Sequence, residues 1–364
     1  MMKKEAEFYE KLEDGKVQCH VCGHSCVIKD GGRGFCNTRL NEKGTLYTLT
    51  YGSLISNGSI DPIEKKPLYH FYPGKTAYSI ASIGCSAKCD HCQNWSISRS
   101  IVDVDGRNGD VPKKDRGPSS FRGSHISLVQ KSPEALIQLV KRAGAETIAF
   151  TYNEPLIWYE YVRDVSLLAQ KEDIKTILVT NGYSSLETNK EYVKFIDAAN
   201  IDVKAFDDEF YKNICKITNW ERILDTAKCF HENGVHVEIT NLIIPGYNDS
   251  EEMIKALINW VRDELDDRVP IHFSAYHPVY KLQAKSTPTK TLLNAYTWAK
   301  KAGLHYVFLG NVRTPEGNNS YCPECEALLV SRMGYHIEIK HLKSGKCTNC
   351  NAETGITQSK PSSN

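Results

Sequence analysis

From Thr76 onward the chain alternates between two hydrophobic periods. Runs with strand character fall at 77–83, 146–152, 175–180, 200–204, 235–243, 270–276 and 305–309. Stretches of helical spacing lie between them, around 133–143, 156–171, 187–198, 220–233, 250–266 and 288–302. Period two marks the strands and period 3.6 the helices. Ser132-Pro133-Glu134 offers an N-cap followed by proline at the first helical position. Such alternation predicts parallel strands joined by crossover helices. Six or seven units suit a partial TIM-type barrel of the (β/α)6 kind, an α/β fold whose active residues stand at the C-terminal ends of the strands.

The flanks break this rhythm. We expect a cysteine-rich N-terminal segment over 1–74, the barrel over 75–312, a small cysteine-bearing module over 313–353 and a disordered tail over 354–364. Asp30-Gly31-Gly32-Arg33-Gly34 reads as a turn, and 327–341 as hairpin strands. Residues 103–126 form a polar, glycine-rich insertion. It reads first as a solvated loop, with a lid or partner-binding loop as the alternative.

Charge narrows the function classes. Lys plus Arg number 45 and Asp plus Glu 44, so no global field draws the protein to nucleic acid or membrane. No apolar run approaches the roughly 18 residues of a membrane span, and Met1 to Lys16 carries no signal-peptide core. A cytoplasmic protein is expected. There, thirteen cysteines imply metal or redox chemistry rather than disulfides.

Eleven cysteines fall into three groups, while Cys215 and Cys229 read as packed thiols. Cys85, Cys89 and Cys92 follow the first strand with spacings of three and two residues. A [4Fe–4S] cluster fully held by protein takes four cysteines. Three on one loop leave an iron open to an external chelator. Cys322, Cys325, Cys347 and Cys350 form two CxxC knuckles with zinc-ribbon spacing, and a rubredoxin-like iron site would use the same ligands. Cys19, Cys22, Cys26 and Cys36 suit either zinc or an auxiliary iron–sulfur cluster.

The CxxxCxxC spacing resembles the signature of the radical S-adenosylmethionine (SAM) enzymes. The resemblance covers nearly the whole chain, and its barrel is similar to the pyruvate formate-lyase activating enzyme branch. It implies that SAM fills the open iron. A reduced cluster then cleaves SAM to a 5′-deoxyadenosyl radical, which abstracts hydrogen from a substrate. Thr151-Tyr152-Asn153-Glu154-Pro155 resembles the family's glycine-glycine-glutamate-proline motif, which binds the SAM amino group; Tyr152 and Asn153 stand in place of the glycines. Thr180-Asn181-Gly182 resembles an activase motif, with Asn181 toward the ribose. Asp202-Val203-Lys204 resembles the activase triplet that holds the methionyl carboxylate and a counter-charge. His91 takes the place of an aromatic residue against the adenine, and His277 is placed to reach the adenosine. The Pro245-Gly246-Tyr247-Asn248-Asp249 stretch resembles a loop near the adenine.

Longer strings, Asp61-Pro62-Ile63-Glu64-Lys65-Lys66-Pro67-Leu68-Tyr69-His70 and Cys92-Gln93-Asn94-Trp95-Ser96-Ile97-Ser98, are similar to those of the AmmeMemoRadiSam subfamily. That likeness implies association with AMMECR1-type and Memo-type proteins, and a ferredoxin- or flavodoxin-like electron donor. The substrate expected is a protein or another macromolecule. Two alternatives stay open. One is RNA modification, with docking through Lys340, His341, Lys343 and Lys346. The other is a non-catalytic, metal-stabilised scaffold.

Overall fold

The computed structural model describes residues 3–105, 107–116 and 125–359. Its core is one eight-stranded sheet. Seven strands are parallel: β1 (Thr76–Ile80), β2 (Thr147–Phe150), β3 (Lys175–Thr180), β4 (Ala198–Asp202), β5 (His236–Ile243), β6 (Ile271–Ala275) and β7 (Val307–Gly310). They neighbour one another in chain order. Strand Ser59–Pro62 pairs antiparallel with β1 and forms one edge; β7 forms the other. The sheet is therefore open, and the fold is mixed α/β with a partial, barrel-like core. Six helices fill the crossovers: α1 (Pro133–Arg142), α2 (Tyr159–Lys171), α3 (Leu186–Tyr192), α4 (Glu221–Glu232), α5 (Glu251–Trp260) and α6 (Thr289–Lys301). Side-chain caps start three of them: Ser132 on α1, Ser185 on α3 and Ser250 on α5. Leu136, Ile137 and Val140 bury one stripe of α1 against the sheet's main core.

The opposite face is plugged at the N-terminal ends of the strands. Ile63, Leu68, Phe71 and Tyr72 pack against Ala77, Ala149, Ile177 and Ala198. The small alanines leave room for the stacked rings of Phe71 and Tyr72, 4.7 Å apart. Glu238, at the start of β5, fastens the plug. Its carboxylate accepts from Tyr69 N at 3.0 Å, His70 N at 2.7 Å and His272 Nε2 at 2.6 Å. Asn200 adds a bond to Pro67 O at 2.7 Å.

Three boundaries differ from the sequence reading. Ser59–Pro62 belongs to the central sheet, so the core begins before residue 75. Residues 354–359 are packed rather than loose: Ile356 is buried, and Thr357 exchanges backbone bonds with His70 and Tyr72 at 2.8 and 2.7 Å. Residues 360–364 lie outside the described residues. Within 103–126, strand Asn108–Asp110 pairs with Ile101–Val102 and His125–Ser127. Val102 and Val111 are buried beneath this small sheet. Positions 106 and 117–124 lie outside the described residues.

The N-terminal segment folds as two three-stranded sheets. It is tied to α2 by a buried bidentate pair, with Arg39 Nη1 and Nη2 at 3.0 and 2.9 Å from the two Glu160 oxygens. At the other end, Leu328–Met333 and His336–Ile339 form the expected hairpin.

Glu238 gives a pH test. Burial alone would raise its carboxyl, but hydrogen bonds from His236 and His272 outweigh this and hold it well below the ordinary carboxylate range. A carboxylate depressed by folding contributes its full stabilisation above its unfolded value of about 4.3 and loses it progressively as pH falls from there through the lower folded value. Glu238→Gln is expected to lower stability at neutral pH and to flatten the loss of stability below about pH 5, read by urea unfolding across pH.

Candidate active site

The loop after β1 carries the first cysteine group and has almost no structure of its own. Gly84, with φ at +88°, opens it. A Cβ there would lie 2.4 Å from Thr38 Cγ2 and 2.8 Å from the Cys36 carbonyl oxygen, so only glycine fits. The polar backbone groups of the loop are bonded from outside. Arg99, buried, donates from Nη1 to Ala87 O and from Nη2 to Cys89 O, each at 2.9 Å. Lys88 N and Asp90 N bond the carbonyls of Cys215 and Ile214 at 2.8 and 2.9 Å. Asp90 O accepts from Lys281 N and Leu282 N at 3.0 and 2.9 Å.

The loop faces a cavity of 280 Å³ beside the C-terminal ends of the strands. Cys85, Cys89, His91, Cys92, Tyr152, Asn153, Asn181, Asp202 and Lys204 all line it. Period two along the end of β4 puts Asp202 and Lys204 on one face, and Lys204 Nζ lies 2.8 Å from Asp202 Oδ2. Burial opposes the Lys204 charge, but Asp202 and the thiols of Cys89 and Cys215 outweigh it and keep the ammonium protonated. Asn248 holds this strand end, donating to Lys204 O at 2.6 Å and Leu242 O at 2.8 Å. His91 is lowered to about 3 by burial and by Lys204 and Arg99, so its ring is neutral. Burial raises the thiols of Cys85 and Cys92 above the ordinary thiol range.

Two residues selected from the sequence stand elsewhere. Glu154 turns away from the cavity. Its carboxyl accepts from Thr180 Oγ1 at 2.6 Å, Asn181 N at 2.7 Å and Leu156 N at 3.0 Å, and burial raises it to about 7. It positions Asn181 and caps the turn into α2. His277 is exposed, outside the cavity lining, and meets Ser286 Oγ at 3.4 Å.

Residues 79–261, half of the chain, match the Radical SAM superfamily. The chain belongs to this superfamily. An uncharacterized protein of Methanocaldococcus jannaschii is 41% identical over 97% of this chain and 99% of its own. The pyruvate formate-lyase 1-activating enzyme of Escherichia coli K12 is 29% identical over 57% of this chain and 81% of its own. Among solved structures, a domain of a pyruvate-formate lyase-activating enzyme from Bacteroides vulgatus matches with 22% identity and a TM-score of 0.40, over 45% of this chain and 98% of that one.

A radical SAM protein is an oxidoreductase that cleaves SAM at an iron–sulfur centre. The cavity suits that load on its donors: three thiols, a protonated amine and a carboxylate converge there. His91 Nδ1 and Asn153 Oδ1 are buried without a hydrogen-bond partner, which leaves both for a polar ligand. Sequence reasoning missed Thr240 and Ser274 on the cavity wall and Arg99 behind it, and gave no site role to Gln93, Asn94, Leu242 and Asn311, which also line it. For Thr240 and Ser274 the signal available was their position near the ends of β5 and β6.

The enzyme's other cysteine groups lie apart. Cys322 Sγ is 3.5 Å from Cys350 Sγ, and Cys325 Sγ is 3.7 Å from Cys347 Sγ. All four sulfurs lie within 4.8 Å of one another, a set able to hold a metal ion. Nearby, Lys340 pairs with Glu338 at 2.6 Å and Lys346 with Glu353 at 2.8 Å. No described helix is long and apolar enough to cross a membrane.

Arg99→Ala leaves the Ala87 and Cys89 carbonyls without their donors, which is expected to cost about 1–3 kcal/mol. Urea unfolding reads the loss, and hydrogen exchange should show residues 85–92 opening faster.

Proposed function

We propose that this enzyme uses SAM cleavage to take a hydrogen atom from a protein or another macromolecule, as an activating-enzyme-like member of the AmmeMemoRadiSam subfamily. One observation carries the reading. Three thiols on one loop face the Asp202–Lys204 pair across a single cavity at the strand ends of an open sheet. Bound there, a reduced [4Fe–4S] centre with SAM supplies one-electron cleavage of the sulfonium S–C5′ bond and hence hydrogen-atom abstraction. Cys85, Cys89 and Cys92 would hold such a cluster, and three thiolates would leave room for SAM as its remaining ligand. Lys204 binds the methionyl carboxylate, with Asp202 as its counter-charge. Asn153 Oδ1 accepts from the amino group. His91 faces the adenine as a neutral ring, and Asn181 meets the ribose. The similarity to a pyruvate formate-lyase activating enzyme supports a protein substrate. An open rather than closed sheet favours entry of a large substrate. A ferredoxin- or flavodoxin-like donor supplies the electron, and AMMECR1-type and Memo-type proteins are the proposed partners. At Cys322, Cys325, Cys347 and Cys350 we place structural Zn²⁺ in a zinc-ribbon-like module.

Anaerobic reconstitution with iron and sulfide tests the central claim. The dithionite-reduced protein is expected to show a [4Fe–4S]⁺ EPR signal that SAM perturbs, and to release 5′-deoxyadenosine and methionine. Cys85→Ala should abolish both. Absence of a SAM-sensitive signal in the wild type would sink the reading. Elemental analysis should find about one zinc per chain, lost in the Cys322→Ser/Cys347→Ser variant.

A further inference from the structure

The plug uses only part of the 61–70 segment. Ile63, Leu68 and the amides of Tyr69 and His70 serve it, while Asp61, Lys65 and Lys66 take no part in its apolar packing. Asp61 stands on the edge strand Ser59–Pro62, directly opposite Ala77 of β1, and Ser59 stands opposite Ser79. Directly opposed residues of an antiparallel pair share a sheet face. Asp61 and Ser79 therefore lie on the face that carries the plug, with Ser79 two residues nearer the C-terminal end of β1.

The polar groups on this face are left short of partners. Lys66 is 3% exposed, yet its ammonium has one acceptor, Asp61 Oδ2 at 3.3 Å. That carboxylate is itself shared: Lys65 Nζ reaches Oδ1 and Ser59 Oγ reaches Oδ2, each at 3.1 Å. An ammonium carries three donors, so two of those on Lys66 have no acceptor among the described residues. Burial lowers the Lys66 pKa, and Asp61 recovers only part of that loss. Ser79 Oγ, on a residue 4% exposed, has no hydrogen-bond partner either. Buried polar groups left over on one face ask for a ligand that pairs with them.

The place of this gap gives it a use. Lys66 Nζ lies 6.0 Å from the centre of the Tyr152 ring. That is the outer limit of a cation–π contact, so the ring does not replace the missing acceptors. Tyr152 is 42% exposed, lines the active-site cavity and stands where the family motif has glycine. One residue away, Lys65 Nζ lies 5.6 Å from the ring of Tyr335, which is exposed on the turn of the C-terminal hairpin. Two lysines between two exposed rings thus connect that hairpin to the cavity beside the edge strand.

We propose that Lys66 binds a side-chain carboxylate of a polypeptide, an aspartate or glutamate near the residue that gives up hydrogen, with the chain lying against Tyr152. That this polypeptide is the substrate rests on the function proposed above; the carboxylate site does not. One spare ammonium suits one carboxylate. A run of nucleic-acid phosphates would also meet Asp61, and that like-charge contact opposes binding.

The test uses the full chain, reconstituted anaerobically with iron and sulfide and holding SAM. Its ligands are two dye-labelled, C-terminally amidated hexapeptides, Gly-Ala-Asp-Gly-Ala-Gly and the same peptide with Asn for Asp, read by fluorescence anisotropy. The aspartyl peptide is expected to bind about tenfold tighter, the gain a charge-assisted hydrogen bond supplies. Lys66→Met should bring the ratio down to about one. Asp61→Asn, which frees the ammonium from its competitor, should widen it. Equal binding of the two peptides by the wild type, or binding of neither, would overturn the site, as would a narrowed ratio in Asp61→Asn. Should Lys66→Met fail to fold, the wild-type ratio and Asp61→Asn decide. A uridine hexanucleotide that binds more tightly than the aspartyl peptide would assign the surface to RNA and refute the proposal. A wild type with the aspartyl preference but no SAM-sensitive EPR signal would leave the carboxylate site standing and remove the proposed function. A SAM-sensitive signal with equal peptide binding would do the reverse.

Discussion

A loop that aims three thiols at one point has little chance to bond with itself. Every buried amide and carbonyl still needs a partner. Here the partners come from elsewhere: the Arg99 guanidinium, the 214–215 backbone, and the amides of Lys281 and Leu282. Those segments lie on different crossovers of the sheet, so the sheet must be complete before the thiols are fixed. The same logic explains Gly84, where the N-terminal segment presses so closely that no side chain fits.

Periodicity made the sheet legible. All seven parallel strands stand within a few residues of their expected places, and the Asp202–Lys204 pair follows from alternation at a strand end. What escaped was whatever depends on backbone groups left unpaired by the tertiary fold. Glu154 sits in a motif that suggests ligand contact, yet three backbone and hydroxyl donors claim its carboxyl. Arg99 looks like an ordinary polar residue in the sequence; its value lies in carbonyls that no residue spacing reveals. His277 has the right strand end but points past the cavity.

Composition misled in two places. Residues 354–359 are polar and read as a tail, but backbone bonds to the plug hold them, and backbone bonds leave little trace in composition. Among the described residues of the 103–126 insertion, Val111 is the buried apolar side chain. Its described strand, Asn108–Asp110, carries no apolar side chain, so no strand pattern rises above the charged surroundings.

The plug beneath the sheet links the two ends of the chain. Arg332 donates to Tyr69 O at 2.6 Å and to Ser320 Oγ at 2.9 Å, and Thr357 is bonded on both sides to the 70–72 backbone. Synthesis runs from the N-terminus. The 63–72 segment therefore leaves the ribosome before any parallel strand it will support, and waits for its last fastenings until residue 357 has emerged. A nascent chain stalled within the C-terminal module would carry every cysteine of the active-site loop above a base not yet secured. The floor of the active site is thus fastened last, by backbone made about 290 residues after the segment it holds.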